Sequence, residues 1–165
     1  MIHQIRLIIA LVLLPLISNI KLVTWTGMSD TERMRASDEM KAFICDMEVD
    51  EFRLMSAVVE AESDRNPDHT EGKKLIALTI FNRKEDEDFP NSVTGVISQA
   101  GQFQVYYEGT YQSTGRTEGS DEAVIDAYFW QKDEHPDVQY FNSIGFMSGF
   151  EAYAYVDGNY FSLGG

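Results

Sequence analysis

The run Leu75–Arg83 sets the tightest limit on how this chain folds. Leu75, Ile76, Ala77, Leu78, Ile80 and Phe81 are apolar nearly all the way round a helix. A helix with no polar face has to be covered on every side, so it is expected at the centre. Thr70 is placed to cap its start and Glu71 to sit in its first turn, while Asn82 and Arg83 close it. Asn82 either bonds to backbone at the helix end or lines a groove.

The segment before it carries an acid. Asp50 is read as an N-cap and Glu51 as a first-turn acid. At about 100° per residue, Leu54, Met55, Val58, Val59 and Ala61 share one broad arc with Phe52 at its edge. Glu62 falls near the middle of that arc, while Glu60 and Arg53 fall opposite, towards water. A carboxylate aimed at a core is costly unless paired, bonded or neutral. Burial raises its pKa, which suits a general acid near neutral pH. The competing reading sends Glu62 to solvent at the helix end, or pairs it with Arg65.

Composition removes several classes. At 165 residues the chain is long enough for one sizeable core. The single cysteine, Cys45, forbids an internal disulfide. His3, His69 and His135 are scattered without metal-ligand spacing, so no metal and no organic cofactor are expected. There are 27 acidic residues against 13 basic ones, for a net charge of -14. Nucleic acid is therefore not an expected partner. Binding to any anionic polymer has to rely on a local groove.

Met1–Ile20 has Arg6 followed by an apolar run broken only by Pro15, as in a signal peptide. Lys21 to Trp25 could extend it to an interfacial anchor. Cleaved signal and retained anchor both stand, and either places the remainder outside the cytoplasm. Thr26–Ser37 reads as a linker, and Ser37 as the cap of a helix reaching about Met47.

Pro67 ends the acid-bearing helix in the turn-rich Ser63–His69. Ser92–Ile97 is one or two helical turns. Ala100–Tyr107 mixes amides and aromatics, which suit sugars, although an ordinary strand fits it better. Glu108–Gly119 reads as an exposed loop, and Ser120 as the cap of a helix over 121–132 with Trp130 inward. Val138–Phe141 is a strand, and two further strands flank Asp157-Gly158, a strong hairpin signal. Helices first and an antiparallel sheet after them give an α+β fold.

Taken together, Val58-Val59-x-Ala61-Glu62, Glu71-Gly72-Lys73, Ile80-Phe81-Asn82-Arg83, Phe89-Pro90 and Val96-Ile97-x-Gln99-x-Gly101-Gln102-Phe103 resemble the SleB-type cell-wall hydrolases. These include spore-cortex-lytic enzymes and phage endolysins. Tyr140-Phe141-Asn142 and Gly158-Asn159-Tyr160-Phe161 fit as well, so the likeness runs from about Glu51 to Ser162.

The resemblance implies a lysozyme-like groove and a monomer acting on peptidoglycan glycan strands. It puts Glu62 in the place of the catalytic glutamate and Asn82, Gln102, Phe103, Gln104 and Tyr106 at the groove. With the reading of the N-terminal residues, this gives a signal peptide or membrane anchor over 1–25, a linker over 26–36 and a cell-wall hydrolase catalytic domain over 37–165. A lytic transglycosylase needs Glu62 alone. A hydrolytic muramidase needs a second carboxylate, for which Asp64, Asp68 and Glu71 are the candidates. A non-catalytic wall-binding or virion module is the remaining alternative. The chain departs from the family in its longer Ser63–His69, in Gln104 where Thr or Ser is common, and in Asn159 where His is frequent.

Overall fold

The computed structural model describes residues 30–63, 66–67, 69–132 and 134–165. The N-terminal apolar segment, the first four residues of the expected linker, and Asp64, Arg65 and Asp68 lie outside the described residues. Among the described residues no helix is long and apolar enough to cross a membrane. The compact unit considered below is Asp38–Gly165.

Helices fill the first part of the chain: α1 (Asp30–Ile44), α2 (Val49–Glu62), α3 (Thr70–Glu85), α4 (Val93–Ile97), α5 (Gln104–Tyr107), α6 (Thr110–Thr114) and α7 (Glu118–Gln131). Strands β1 (Val138–Asn142), β2 (Ala152–Val156) and β3 (Asn159–Leu163) follow. They form an antiparallel sheet in the order β1-β3-β2. The α+β architecture follows the sequence reading.

Helix α3 is the centre of the unit. Leu75, Ile76, Ala77, Leu78, Ile80 and Phe81 are all buried. Neighbours α2, α4, α7 and β1 contact it from different sides. Its N-terminus is held by the β2–β3 hairpin: the Gly72 N–H donates to Asp157 Oδ2 at 2.7 Å. A Cβ at position 72 would lie 2.7 Å from the Asp157 Cβ, so this glycine is what lets the hairpin close on the helix. Asp157 and Gly158 both have positive φ, 49° and 83°. That pairing matches the twist of a two-residue hairpin turn.

Several element boundaries differ from the sequence reading. Asp30, not Ser37, opens α1, and Asp50 lies inside the first turn of α2. Part of the expected linker is therefore helical. The presumed strand over 100–107 contains the helical turn α5, and the presumed loop over 108–119 contains α6. Thr117, not Ser120, caps α7, with the two side chains bonding reciprocally to each other's backbone N–H. Apolar density identifies a buried segment but does not fix where its terminal hydrogen bonds begin.

Candidate active site

Glu62 is the last residue of α2, and its side chain is half-buried. Burial raises its carboxyl from the ordinary 4.5 to about 7. The backbone N–H of Val105 bonds to it and pulls in the opposite direction, while the charge of Glu108 pushes it further up. Its Oε1 is buried and has no hydrogen-bond partner. The group is thus poised to hold a proton near neutrality and has one oxygen left for a ligand.

Short helices α5 and α6 face it, both in contact with α2. Glu108 is the C-cap residue of α5, and the Gln104 amide donates to its carboxylate. Tyr106 stacks on Tyr111, with centroids 5.5 Å apart and planes 19° apart. Tyr107 stands edge-on to Tyr106, and its hydroxyl donates to the Ser98 carbonyl. Gln102 is exposed just before this turn. Gln104 and half-buried Tyr106 thus flank Val105, whose N–H bonds to Glu62, and Gln102 lies three residues before it.

Asn82 and Phe103 are placed elsewhere. Asn82 is buried, and its amide donates to the carbonyls of Pro136 and Val138 at 3.1 and 3.0 Å. It fastens α3 to the start of β1. Phe103 is 0% exposed and packs on Phe141 at 5.9 Å. A ring enclosed in this way has no face left to stack on a sugar.

The largest surprise is Glu60, expected to face water. It is 4% exposed. Its Oε2 meets Lys73 Nζ at 3.0 Å and accepts from the Thr117 hydroxyl at 2.7 Å. Helix α2 is covered on this side by α3 and α7 as well. An apolar arc could not reveal this, because the covering group is a lysine, a residue usually read as solvent-facing. Glu60 thus has two partners in place and almost no access to solvent. Arg53 does stay partly exposed, and its Nε meets Asp38 Oδ2 at 2.8 Å.

Residues 67–151 match the family model described as Cell Wall Hydrolase, which covers about half of the chain. The chain belongs to the cell wall hydrolase family. The matched region of this cell wall hydrolase begins five residues after Glu62 and does not include it. Two solved structures share its fold. One is the catalytic domain of the germination-specific lytic transglycosylase SleB from Bacillus anthracis, with TM-score 0.56 and 24% identity over 68% of this chain and 93% of that one. The other is the catalytic domain of the Bacillus cereus SleB protein, with TM-score 0.58 and 23% identity over 70% of this chain and 91% of that one. No curated protein matches the chain.

Proposed function

We propose that this enzyme cleaves the glycosidic bond between MurNAc and GlcNAc in peptidoglycan as a lytic transglycosylase, with Glu62 as its single acid and base. The observation that carries this reading is the Glu62 carboxyl itself: half-buried, raised to about 7, with one buried oxygen unbonded. Protonated Glu62 donates to the glycosidic oxygen as the C1–O bond breaks. The carboxylate then takes the proton of the MurNAc C6 hydroxyl, whose oxygen bonds to C1. The acid is regenerated, the ring closes as an anhydro sugar, and no water is consumed. Exposed Gln102 and Gln104 are suited to bond the sugars, and half-buried Tyr106 to stack on them. Such an enzyme works outside the cytoplasm. The apolar N-terminal segment is the element that takes it there, as a cleaved signal or a retained anchor.

A hydrolytic muramidase is the second reading, because Glu108 supplies a second carboxylate close enough to act on Glu62. Glu71, by contrast, lies at the surface beside Lys74, at 3.9 Å. Mass spectrometry of the released muropeptides decides between the two. Anhydro ends are expected; reducing MurNAc ends in their place would move the assignment to hydrolysis.

The pH dependence follows from the proton on Glu62. The acid must be protonated to donate, so kcat/KM is expected to fall above about pH 7. Glu108→Gln removes the nearby negative charge and makes the Glu62 anion easier to form. The alkaline limb should then move to lower pH. An exposed charge is screened, so a shift of about 0.3 to 0.5 pH units is expected. High salt should move the wild-type limb the same way and leave the variant in place. A pH profile of kcat/KM at low and high salt measures both effects.

A further inference from the structure

We propose that the buried Glu60–Lys73 ion pair is a positioning device that sets the direction in which Glu62 points. This role presupposes that Glu62 is the acid. Glu60 lies two residues before Glu62, in the last turn of α2. That turn is fixed at its backbone by Ser63, whose N–H donates to the Val59 carbonyl at 3.1 Å and whose hydroxyl donates to the Glu60 carbonyl at 2.8 Å. Its rotation about the helix axis is fixed by the Glu60 side chain. One oxygen, Oε2, receives both Lys73 Nζ from α3 and the Thr117 hydroxyl from the cap of α7. Lys73 is 2% exposed, so the pair is sealed from water.

Stability alone does not explain such a pair. Apolar residues of similar volume in place of a buried ion pair are often neutral or stabilising. What they lack is direction. Apolar contact is non-directional, whereas these bonds hold only within narrow distances and angles. A side-chain tip lies about 6 Å from its helix axis, so a 10° rotation moves it by about 1 Å. A misplacement of that size costs on the order of 100-fold in rate. Loss of the anchor should therefore appear in kcat, because the sugar contacts of Gln102, Gln104 and Tyr106 sit on other elements.

The test uses two double variants of the full chain, assayed on soluble glycan fragments beside thermal unfolding. Glu60→Leu with Lys73→Met removes the anchor and both charges. It should fold with Tm near or above wild type, lose about 10- to 100-fold in kcat, and keep KM within about twofold. Glu60→Gln with Lys73→Met keeps an oxygen for Thr117 and should recover part of the loss. Wild-type kcat in a folded Glu60→Leu/Lys73→Met enzyme overturns the role. So does a Glu60→Gln/Lys73→Met enzyme no better than the apolar pair. If the apolar pair fails to fold, the amide pair carries the test, with a several-fold drop in kcat expected and wild-type kcat overturning it. Glu62→Gln in the same assay separates the failures: if it is active, the acid is misassigned. If it is inactive while the double variants match wild type, only the positioning role falls.

Discussion

Glu62→Gln is expected to reduce peptidoglycan cleavage by at least about 1,000-fold while leaving the fold intact. Positioned proton transfer alone contributes on the order of 100- to 10,000-fold. On the proposed route one group serves both transfers, so its loss falls at the upper part of that range. The amide is nearly isosteric with the acid and keeps an oxygen for the Val105 N–H, so the helix end has no reason to move. The same substitution should also stabilise the protein at alkaline pH. In the wild type the folded carboxyl titrates near 7 and the unfolded one near 4.5. Between those values the folded state binds more protons, so wild-type stability falls as pH rises through that window and stays low above it. Glutamine has no such dependence. The full shift is discounted because the side chain is only half-buried, which leaves a gain of about 2 kcal/mol for the variant above pH 7. Denaturant unfolding at about pH 4 and pH 8 reads this gain, and turbidity loss of purified sacculi reads the activity. A folded Glu62→Gln protein that still clears sacculi at the wild-type rate would remove Glu62 as the acid.

The parts of this architecture that depend on periodicity were legible in the chain. The all-round apolar run of α3 and the Asp157-Gly158 turn rest on local spacing, and the structure has them, whereas along α2 the spacing sends Glu60 to water and the structure buries it more deeply than Glu62. Partner identity was not legible. Lys73 looks like a surface residue in sequence, yet its ammonium is enclosed because Glu60 and Thr117 reach it from separate elements. Glu108 is spaced four residues from Gln104, as a bonded pair on a helical turn would be, but a segment read as a strand hides that signal. The motif Glu71-Gly72-Lys73 was read as one unit of a family pattern. In space its glycine admits the hairpin and its lysine meets Glu60, two unrelated tasks that spacing cannot separate.

Arg83→Leu is expected to destabilise the protein by about 4 kcal/mol, more than any exposed arginine would. Arg83 is 3% exposed, and its Nε donates to the Gln139 carbonyl at 2.6 Å. Its guanidinium lies over Phe89, Phe103 and Tyr140, at 5.2, 5.7 and 5.4 Å from the ring centroids. Burial lowers its pKa to about 10. A hydrogen bond from a charged donor contributes about 1.5–3 kcal/mol, and desolvated cation–ring contacts add about 2 kcal/mol. Leucine fills part of the space but leaves the Gln139 carbonyl without its donor. Arg83→Lys should recover little, since an ammonium cannot lie flat among three rings while reaching the same carbonyl. Thermal or denaturant unfolding measures both variants. The effect matters for function through Phe103, which follows directly after Gln102 and precedes the turn that carries Gln104, Val105 and Tyr106. Arg83 and Asn82 tie the end of α3 to β1 through backbone carbonyls, and Arg83 also supports the ring on which the α5 turn begins. The consecutive Asn82-Arg83 therefore supports, from inside the core, the segment whose Val105 N–H bonds to Glu62.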